Sequence, residues 1–137
     1  PASPPENPLT LAKWELGKRL YHDKLLSTDN TVSCATCHAP EKGFTDQRKT
    51  SLGINASLGG MNAPTVINSG LHPVQFWDGR AATLEEQAQG PVGNAAEMFG
   101  GKKDEDAWDA AANRLRRTIH THGYRLNALV IHPESQA

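Results

Sequence analysis

The first stretch of the chain with a helical pattern of hydrophobic residues runs from Thr10 to about Tyr21. Its apolar residues Leu11, Trp14, Leu20 and Tyr21 alternate with charged and polar residues, and this amphipathic spacing predicts a helix with one face on a core. A similar pattern near the carboxyl end predicts a final helix over about residues 104–121, whose apolar residues include Trp108, Leu115 and Ile119.

A third helix is indicated by its capping residues. Thr83 followed three residues later by Glu86 forms a capping box, which predicts a helix start. Gly90-Pro91 predicts the end of the same helix. Asn94 is then a predicted cap for one further turn through Met98.

Between the first and third helices, residues 43–80 show no sustained hydrophobic period and contain six glycines and two prolines. A stretch of this length without regular structure is unusual in a small domain unless it serves a function, and it is predicted to wrap a bound group. Four prolines within residues 1–8 predict an extended, mobile N-terminal arm. Residues 9–137 are predicted to form one domain.

The two cysteines of the chain lie in the segment Cys34-Ala35-Thr36-Cys37-His38, for which Ser33 is a plausible helix N-cap. Thiols three positions apart can each add to a haem vinyl group, and the adjacent histidine can then bind the iron as proximal ligand. A disulfide or a redox dithiol are the alternatives, whereas a zinc site would need a second pair of ligands. The predicted fold class is therefore mainly α: a cytochrome c-like haem domain in which short helices and long loops wrap one covalent haem.

Composition agrees with a core that depends on a cofactor. Hydrophobic residues make up 37% of the 137 residues and aromatic residues 6%, so a buried haem would supply missing apolar surface. The net charge of −1 argues against nucleic acid as a partner, and no apolar run is long enough to span a membrane. Because this type of haem attachment takes place outside an energy-coupling membrane, we expect a mature exported protein located in the periplasm.

Several segments, spread over roughly residues 9 to 125, resemble one protein family. In addition to the haem motif they are Leu16-Gly17-Lys18-Arg19-Leu20-Tyr21, Leu26-Ser27, Val32-Ser33, Gly43-Phe44-Thr45-Asp46, Met61-Asn62-Ala63-Pro64-Thr65, Phe76-Trp77-Asp78-Gly79-Arg80, Leu84-Glu85-Glu86-Gln87-Ala88 and Glu97-Met98. Their order resembles the N-terminal haem domain of bacterial di-haem cytochrome c peroxidases and their relatives, including the enzyme that matures methylamine dehydrogenase. The resemblance implies a domain with the peroxidatic haem, joined in the family to a C-terminal domain with an electron-transferring haem.

The resemblance also implies roles for individual residues. Cys34 and Cys37 would hold the haem, and His38 would be the proximal iron ligand. Gln87 and Glu97 match distal-pocket residues, with Glu97 as the acid–base group that peroxide cleavage requires and Gln87 as a positioning group. From the residues alone, Glu97 is also an ordinary first-turn residue and Gln87 a solvated helix residue.

Four further residues are expected near the haem or at the junction of the two domains. Phe76 is expected in the pocket wall, and Trp77 matches a tryptophan that lies between the two haems of the family, a role compatible with packing. Arg80 would pair with a haem propionate or remain an exposed turn arginine. Asn62 matches a ligand of a calcium ion whose other protein ligands come from the C-terminal domain, so calcium is an open prediction.

The chain departs from the family pattern on the distal side of the haem. Ile54 aligns with a histidine that caps the resting haem in many members, and isoleucine cannot bind iron. The site is then open to peroxide or filled by another residue. Met61, Met98 and His72 are the alternative distal iron ligands, and any of them would give a closed, electron-carrying haem.

The chain has no second Cys-x-x-Cys-His motif, although peroxide reduction needs two electrons. The second haem is expected on another chain or beyond residue 137. The leading hypothesis is a c-type haem protein that reduces hydrogen peroxide with electrons from a redox partner protein or second haem domain. The alternatives are a mono-haem electron-transfer cytochrome c and a haem subunit of a larger redox complex.

Overall fold

The computed structural model describes residues 5, 7–99 and 113, which contain helices and loops but no sheet. The α-helices in this part of the chain are α1 (Leu11–His22), α2 (Cys34–Cys37) and α3 (Leu84–Gly93). Short 3-10 turns cover Lys24–Leu26, Pro40–Lys42, Ile54–Ala56 and Ser69–Leu71. The predicted mainly α class with long loops is confirmed over these residues.

Two predictions fall mostly or wholly outside the described residues. The helix expected over 104–121 lies outside them except for residue 113, and so does most of the arm over 1–8. The division into an arm and one domain therefore stays a prediction. Within the described residues, no helix combines the length and the apolar character needed to cross a membrane.

Helix α1 forms where its amphipathic pattern predicted it. The hydroxyl of the N-cap Thr10 accepts a hydrogen bond from the Lys13 N–H at 3.2 Å, and Arg19 and His22 in the last turn complement the helix dipole. The buried residue of α1 is Leu16, whereas Trp14 of the predicted apolar face is exposed. The hydrophobic spacing therefore predicted the helix but assigned part of its buried face wrongly.

Helix α2 is a single turn that carries both cysteines. Its N-cap is Ser33, as predicted, and the Ser33 N–H donates to the Thr36 hydroxyl oxygen at 2.9 Å. The Tyr21 hydroxyl at the end of α1 donates to the carbonyl oxygen of His38 just after α2. This contact ties the cysteine-bearing turn to the longest described helix.

Helix α3 begins at the predicted cap but ends later than predicted. Thr83 accepts the Glu86 N–H at 3.1 Å, while the Glu86 carboxylate accepts the N–H of Ala82 at 2.7 Å. The expectation that Gly90-Pro91 ends the helix is wrong, because the helix continues to Gly93. A proline removes only its own N–H from the helix ladder, and the glycine before it has no Cβ to meet the proline ring.

The main cluster of buried hydrophobic residues joins four separate segments. Its members are Val32, Ile54, Val92 and Met98, with Leu26 packed against them. A further link comes from the Thr28 N–H, which donates to the Met98 carbonyl oxygen at 2.9 Å. The turn after α3, where the predicted cap Asn94 lies, is thereby held against the loop before α2.

Three loops are each closed by an isolated antiparallel bridge. The bridges pair Ala39 with Thr45, Leu52 with Leu58, and Gln75 with Ala81. Phe44, Asn55 and Phe76 adopt positive φ angles inside these loops, which is uncommon for a residue other than glycine. The long stretch without a hydrophobic period is thus ordered by local bridges instead of by helices or a sheet.

The cap of α3 provides a test of the fold. Thr83→Ala should lower the free energy of unfolding by about 1 kcal/mol, because the Glu86 N–H loses its acceptor. Chemical denaturation of the haem-loaded protein measures this difference. Thr83→Ser keeps the hydroxyl oxygen and should retain most of the stability, so an equal loss in both variants would contradict the capping role.

Candidate haem site

Helix α2 presents two thiols on one side. Cys34 and Cys37 are both half-buried, and residues three apart on a helix are neighbours on its surface. Burial raises the pKa of both thiols, and the negative charge of Asp46 adds to this effect at Cys37. Both cysteines are free thiols in the structure, in the arrangement that two thioether bonds to one haem require.

The ring of His38 is held by backbone carbonyl groups. Its Nδ1 atom lies 3.0 Å from the carbonyl oxygen of Pro64 and 3.3 Å from that of Phe44. When the Nδ1–H donates to these oxygens, Nε2 carries the lone pair that can bind a metal. This carbonyl contact is the kind of outer interaction that orients a metal-binding histidine.

The described loops expose several large apolar side chains. The exposed large hydrophobic residues of the segment 58–84 are Leu58, Met61, Ile67, Leu71, Val74, Trp77 and Leu84. Covering such side chains with an apolar ring system would remove their surface from water, which is a favourable change. Together with the thiols and His38, this surface fits a covalently attached haem c. Such a group would supply a redox-active iron with one coordination position beyond the histidine.

Glu97 lies in the turn after α3 and is half-buried. Its Oε1 atom accepts a hydrogen bond from the side-chain amide of Asn94 at 2.7 Å. Burial raises the pKa of this carboxyl group, whereas the Asn94 bond and the positive charges of Arg80 and His38 act to lower it. Gln87 is also half-buried, on α3.

The main chain of Glu97 is clamped by the second bridged loop. The Ile54 N–H donates to the Glu97 carbonyl oxygen at 2.9 Å. A Cβ at Gly53 would lie 1.9 Å from the Ala96 carbonyl oxygen and 2.6 Å from the Glu97 Cα atom, so only glycine fits this approach. The Ile54 side chain itself is 1% exposed, within the core cluster.

Phe76 and Arg80 stack in the third bridged loop. The Arg80 guanidinium carbon lies 3.5 Å from the centre of the Phe76 ring, and its Nη1 atom lies 2.8 Å from Asp78 Oδ1. A Cβ at Gly90 would lie 2.7 Å from the Phe76 ring, which places this ring against α3. Phe76 thus lies between α3, which carries Gln87, and Arg80, whose positive charge lowers the pKa of Glu97.

Trp77 and Asn62 meet at the surface. The indole N–H of Trp77 donates to the Asn62 carbonyl oxygen at 3.3 Å, and Trp77 is 61% exposed. Asn62 is exposed as well. Among residues 5, 7–99 and 113, no three His, Cys, Asp or Glu side chains converge as a metal site, and calcium at Asn62 stays a prediction.

The alternative distal ligands lie in different environments. Met98 is 3% exposed and packs in the core cluster beside Ile54. Met61 is 60% exposed, and His72 is exposed in the loop before Phe76. Iron ligation by any of the three stays a prediction.

Comparison with known proteins tests the family resemblance over most of the sequence. Residues 11–128 match the family model described as di-haem cytochrome c peroxidase. The chain belongs to this family. The matched range contains the haem motif, α3 and Glu97, so the resemblance found in the ordered segments is confirmed. Membership of a di-haem peroxidase family also implies that haem is the cofactor.

Two curated proteins can be aligned with most of this chain. It is 52% identical over 114 residues to the cytochrome c peroxidase Ccp of Escherichia coli strain K12. The aligned region covers 83% of this chain and 23% of that protein. It is 45% identical over 96 residues to the methylamine utilization protein MauG of Methylophilus methylotrophus. That aligned region covers 70% of this chain and 29% of the MauG protein.

A solved structure shows the same fold. The chain is similar to a MauG-like protein associated with microbial copper homeostasis, with a TM-score of 0.77 and 33% identity, over 93% of this chain and 37% of that one. The chain spans between 23% and 29% of the length of the two curated relatives, which fits one haem domain at the N-terminal end of a di-haem peroxidase.

Two residues of the site were not predicted to contribute to it. Asn94 was expected only to cap a turn, yet its side chain also binds Glu97. The spacing of three residues between them was the available signal. Gly53 gave no signal of its own, because its importance depends on a segment more than forty positions later in the chain.

The close approach at Gly53 can be tested directly. Gly53→Ala should lower the free energy of unfolding by about 2 kcal/mol, because the added methyl group forces the Ala96–Glu97 backbone to move. Denaturation of the haem-loaded protein measures the change. Gly60→Ala is the matched control, since no described atom lies within 4 Å of its Cβ position. Equal stability of the two variants would contradict the clamp.

Proposed function

We propose that this chain carries one covalent haem c and reduces hydrogen peroxide, with Glu97 as the acid–base group and Gln87 as a positioning group. The observation that supports this most strongly is the family match over residues 11–128, which contains both the haem motif and Glu97. The loop at residues 52–54 also lies against both, because the Leu52 carbonyl oxygen is 3.8 Å from Cys37 Sγ and the Ile54 N–H donates to the Glu97 carbonyl oxygen at 2.9 Å.

The proposed reaction breaks the O–O bond of hydrogen peroxide and uses two electrons and two protons to form two water molecules. Bound haem supplies the redox chemistry and the coordination position for peroxide. The Glu97 carboxylate takes the proton from one peroxide oxygen and returns it to the other, which leaves as water. Burial favours this role because it raises the pKa of Glu97, which makes its carboxylate a stronger base for the peroxide proton.

An open distal position supports catalysis over simple electron transfer. Ile54 stands where many family members carry a histidine, and its side chain is buried in the core. Met98 is enclosed by the same cluster. We therefore propose that no side chain of this chain would close the distal side of a bound haem, which would leave hydrogen peroxide free to react there.

Electrons for the proposed reaction come from outside the described residues. The exposed indole of Trp77 lies at the surface next to Asn62, where a redox partner protein or a second haem domain can dock. We propose the periplasm as the location, since covalent haem of this kind is attached outside the energy-coupling membrane. A calcium ion at Asn62 would belong to the same contact between domains.

The spin state of the ferric haem tests the open site. Electron paramagnetic resonance of the haem-loaded protein should show a high-spin signal, because one axial position lacks a protein ligand. A low-spin signal with the weak near-infrared sulfur-to-iron band would indicate methionine ligation. That result would favour a mono-haem electron-transfer cytochrome and reject the peroxidase proposal.

Replacing Glu97 tests the acid–base role. Glu97→Gln should slow the reaction with hydrogen peroxide by about 100-fold or more, because general acid–base catalysis contributes at least that factor. Stopped-flow absorption of the haem-loaded protein measures the rate, and the resting spectrum should stay unchanged. Glu15→Gln, on the exposed face of α1, is the control. An unchanged rate in Glu97→Gln would remove this residue from the mechanism.

A further inference from the structure

We propose that Asn94 is a positioning residue for Glu97, whose carboxamide holds one carboxylate oxygen so that the other is presented for proton transfer. This inference rests on the proposed peroxide reaction. It concerns the orientation of the carboxylate, which the main-chain clamp at Gly53 and Ile54 does not determine, because a glutamate side chain rotates about several bonds.

The Asn94 side chain is itself held at both polar atoms. Its Oδ1 accepts the Ala96 N–H at 2.9 Å, and its Nδ2 donates to Glu97 Oε1 at 2.7 Å. The Asn94 carbonyl oxygen also accepts the N–H groups of Glu97, Met98 and Phe99 at 3.0–3.1 Å. A donor fixed in this way restricts its acceptor, and a bond of this length to a carboxylate is among the stronger kinds.

Capping alone does not account for asparagine at this position. Serine, aspartate and asparagine cap helix and turn starts about equally well, because each supplies an acceptor oxygen. Of these three, only asparagine also supplies an amide donor at the end of the side chain. That donor is the group that contacts Glu97.

Arg80 competes with Asn94 for the Glu97 carboxylate, so the orientation of that carboxylate depends on Asn94. The positive charge of Arg80 acts on Glu97 and favours its charged form. Without the amide of Asn94, the carboxylate is expected to turn towards Arg80, which already pairs with Asp78. The proton acceptor would then be misplaced even though Glu97 is still present.

The test uses Asn94→Ser in the haem-loaded protein, since serine keeps a capping oxygen for the Ala96 N–H but lacks the amide N–H that reaches Glu97. The second-order rate constant with hydrogen peroxide should fall about tenfold, as expected for loss of a hydrogen bond to a charged group. Asn94→Asp, which keeps the shape and the acceptor oxygen, should cause at least the same loss. Asn7→Ser is the matched control, because Asn7 donates to Glu85 on an exposed surface away from the site.

A double-mutant cycle separates positioning from a structural role. In the Glu97→Gln background, Asn94→Ser should cause no further loss of rate. An equal loss in both backgrounds would reject the positioning role. If Glu97→Gln slows the reaction and Asn94→Ser does not, this inference fails alone, whereas an unchanged rate in Glu97→Gln overturns the proposed function first.

An infrared measurement gives a readout independent of turnover. With glutamate labelled by carbon-13, the difference between the original protein and Glu97→Gln isolates the Glu97 carboxylate band. Asn94→Ser should shift this band, because the hydrogen bond to one oxygen is lost, and Asn7→Ser should leave it in place. An unshifted band in Asn94→Ser would contradict the contact.

Discussion

The packing of the Gly53–Ile54 segment against the turn after α3 is the interaction on which the site depends. Ile54 is buried among side chains from three other segments, and its N–H binds the Glu97 carbonyl oxygen. Burying an isoleucine side chain contributes about 1.5–3 kcal/mol. The same contact therefore stabilises the small core and fixes the position of the Glu97 backbone.

The rest of the described fold is organised to surround a group larger than any side chain. Closed loops and single helical turns replace the sheets and long helices by which most domains bury apolar surface. The loops leave Ile67, Leu71 and Trp77 exposed, while His38 is oriented by a carbonyl group. Both features make sense if haem completes the hydrophobic core of this peroxidase-family domain.

Sequence reasoning predicted the elements whose signals are local. Ser33 and Thr83 cap helices where expected, since an N-cap depends only on the next three or four residues. It was wrong about Gly90-Pro91, because a missing N–H weakens a helix without preventing one more turn when the surrounding packing is favourable. It also placed Trp14 on a buried face, since periodicity identifies an apolar stripe but not the surface that it meets.

By itself, the sequence determined the haem motif and the family, and it supplied the candidates for the chemically active residues. Those inferences depend on residue types at short spacings or on the order of motifs, and neither needs coordinates. Only the tertiary structure decided that Asn94 binds the Glu97 carboxylate, that Gly53 leaves room for its backbone, and that Ile54 belongs to the core. The relations of Gly53 and Ile54 join segments far apart in the chain, and such contacts arise from packing, which no local pattern encodes. The Asn94–Glu97 contact is local, but it depends on the side-chain conformations, which a spacing of three residues does not fix.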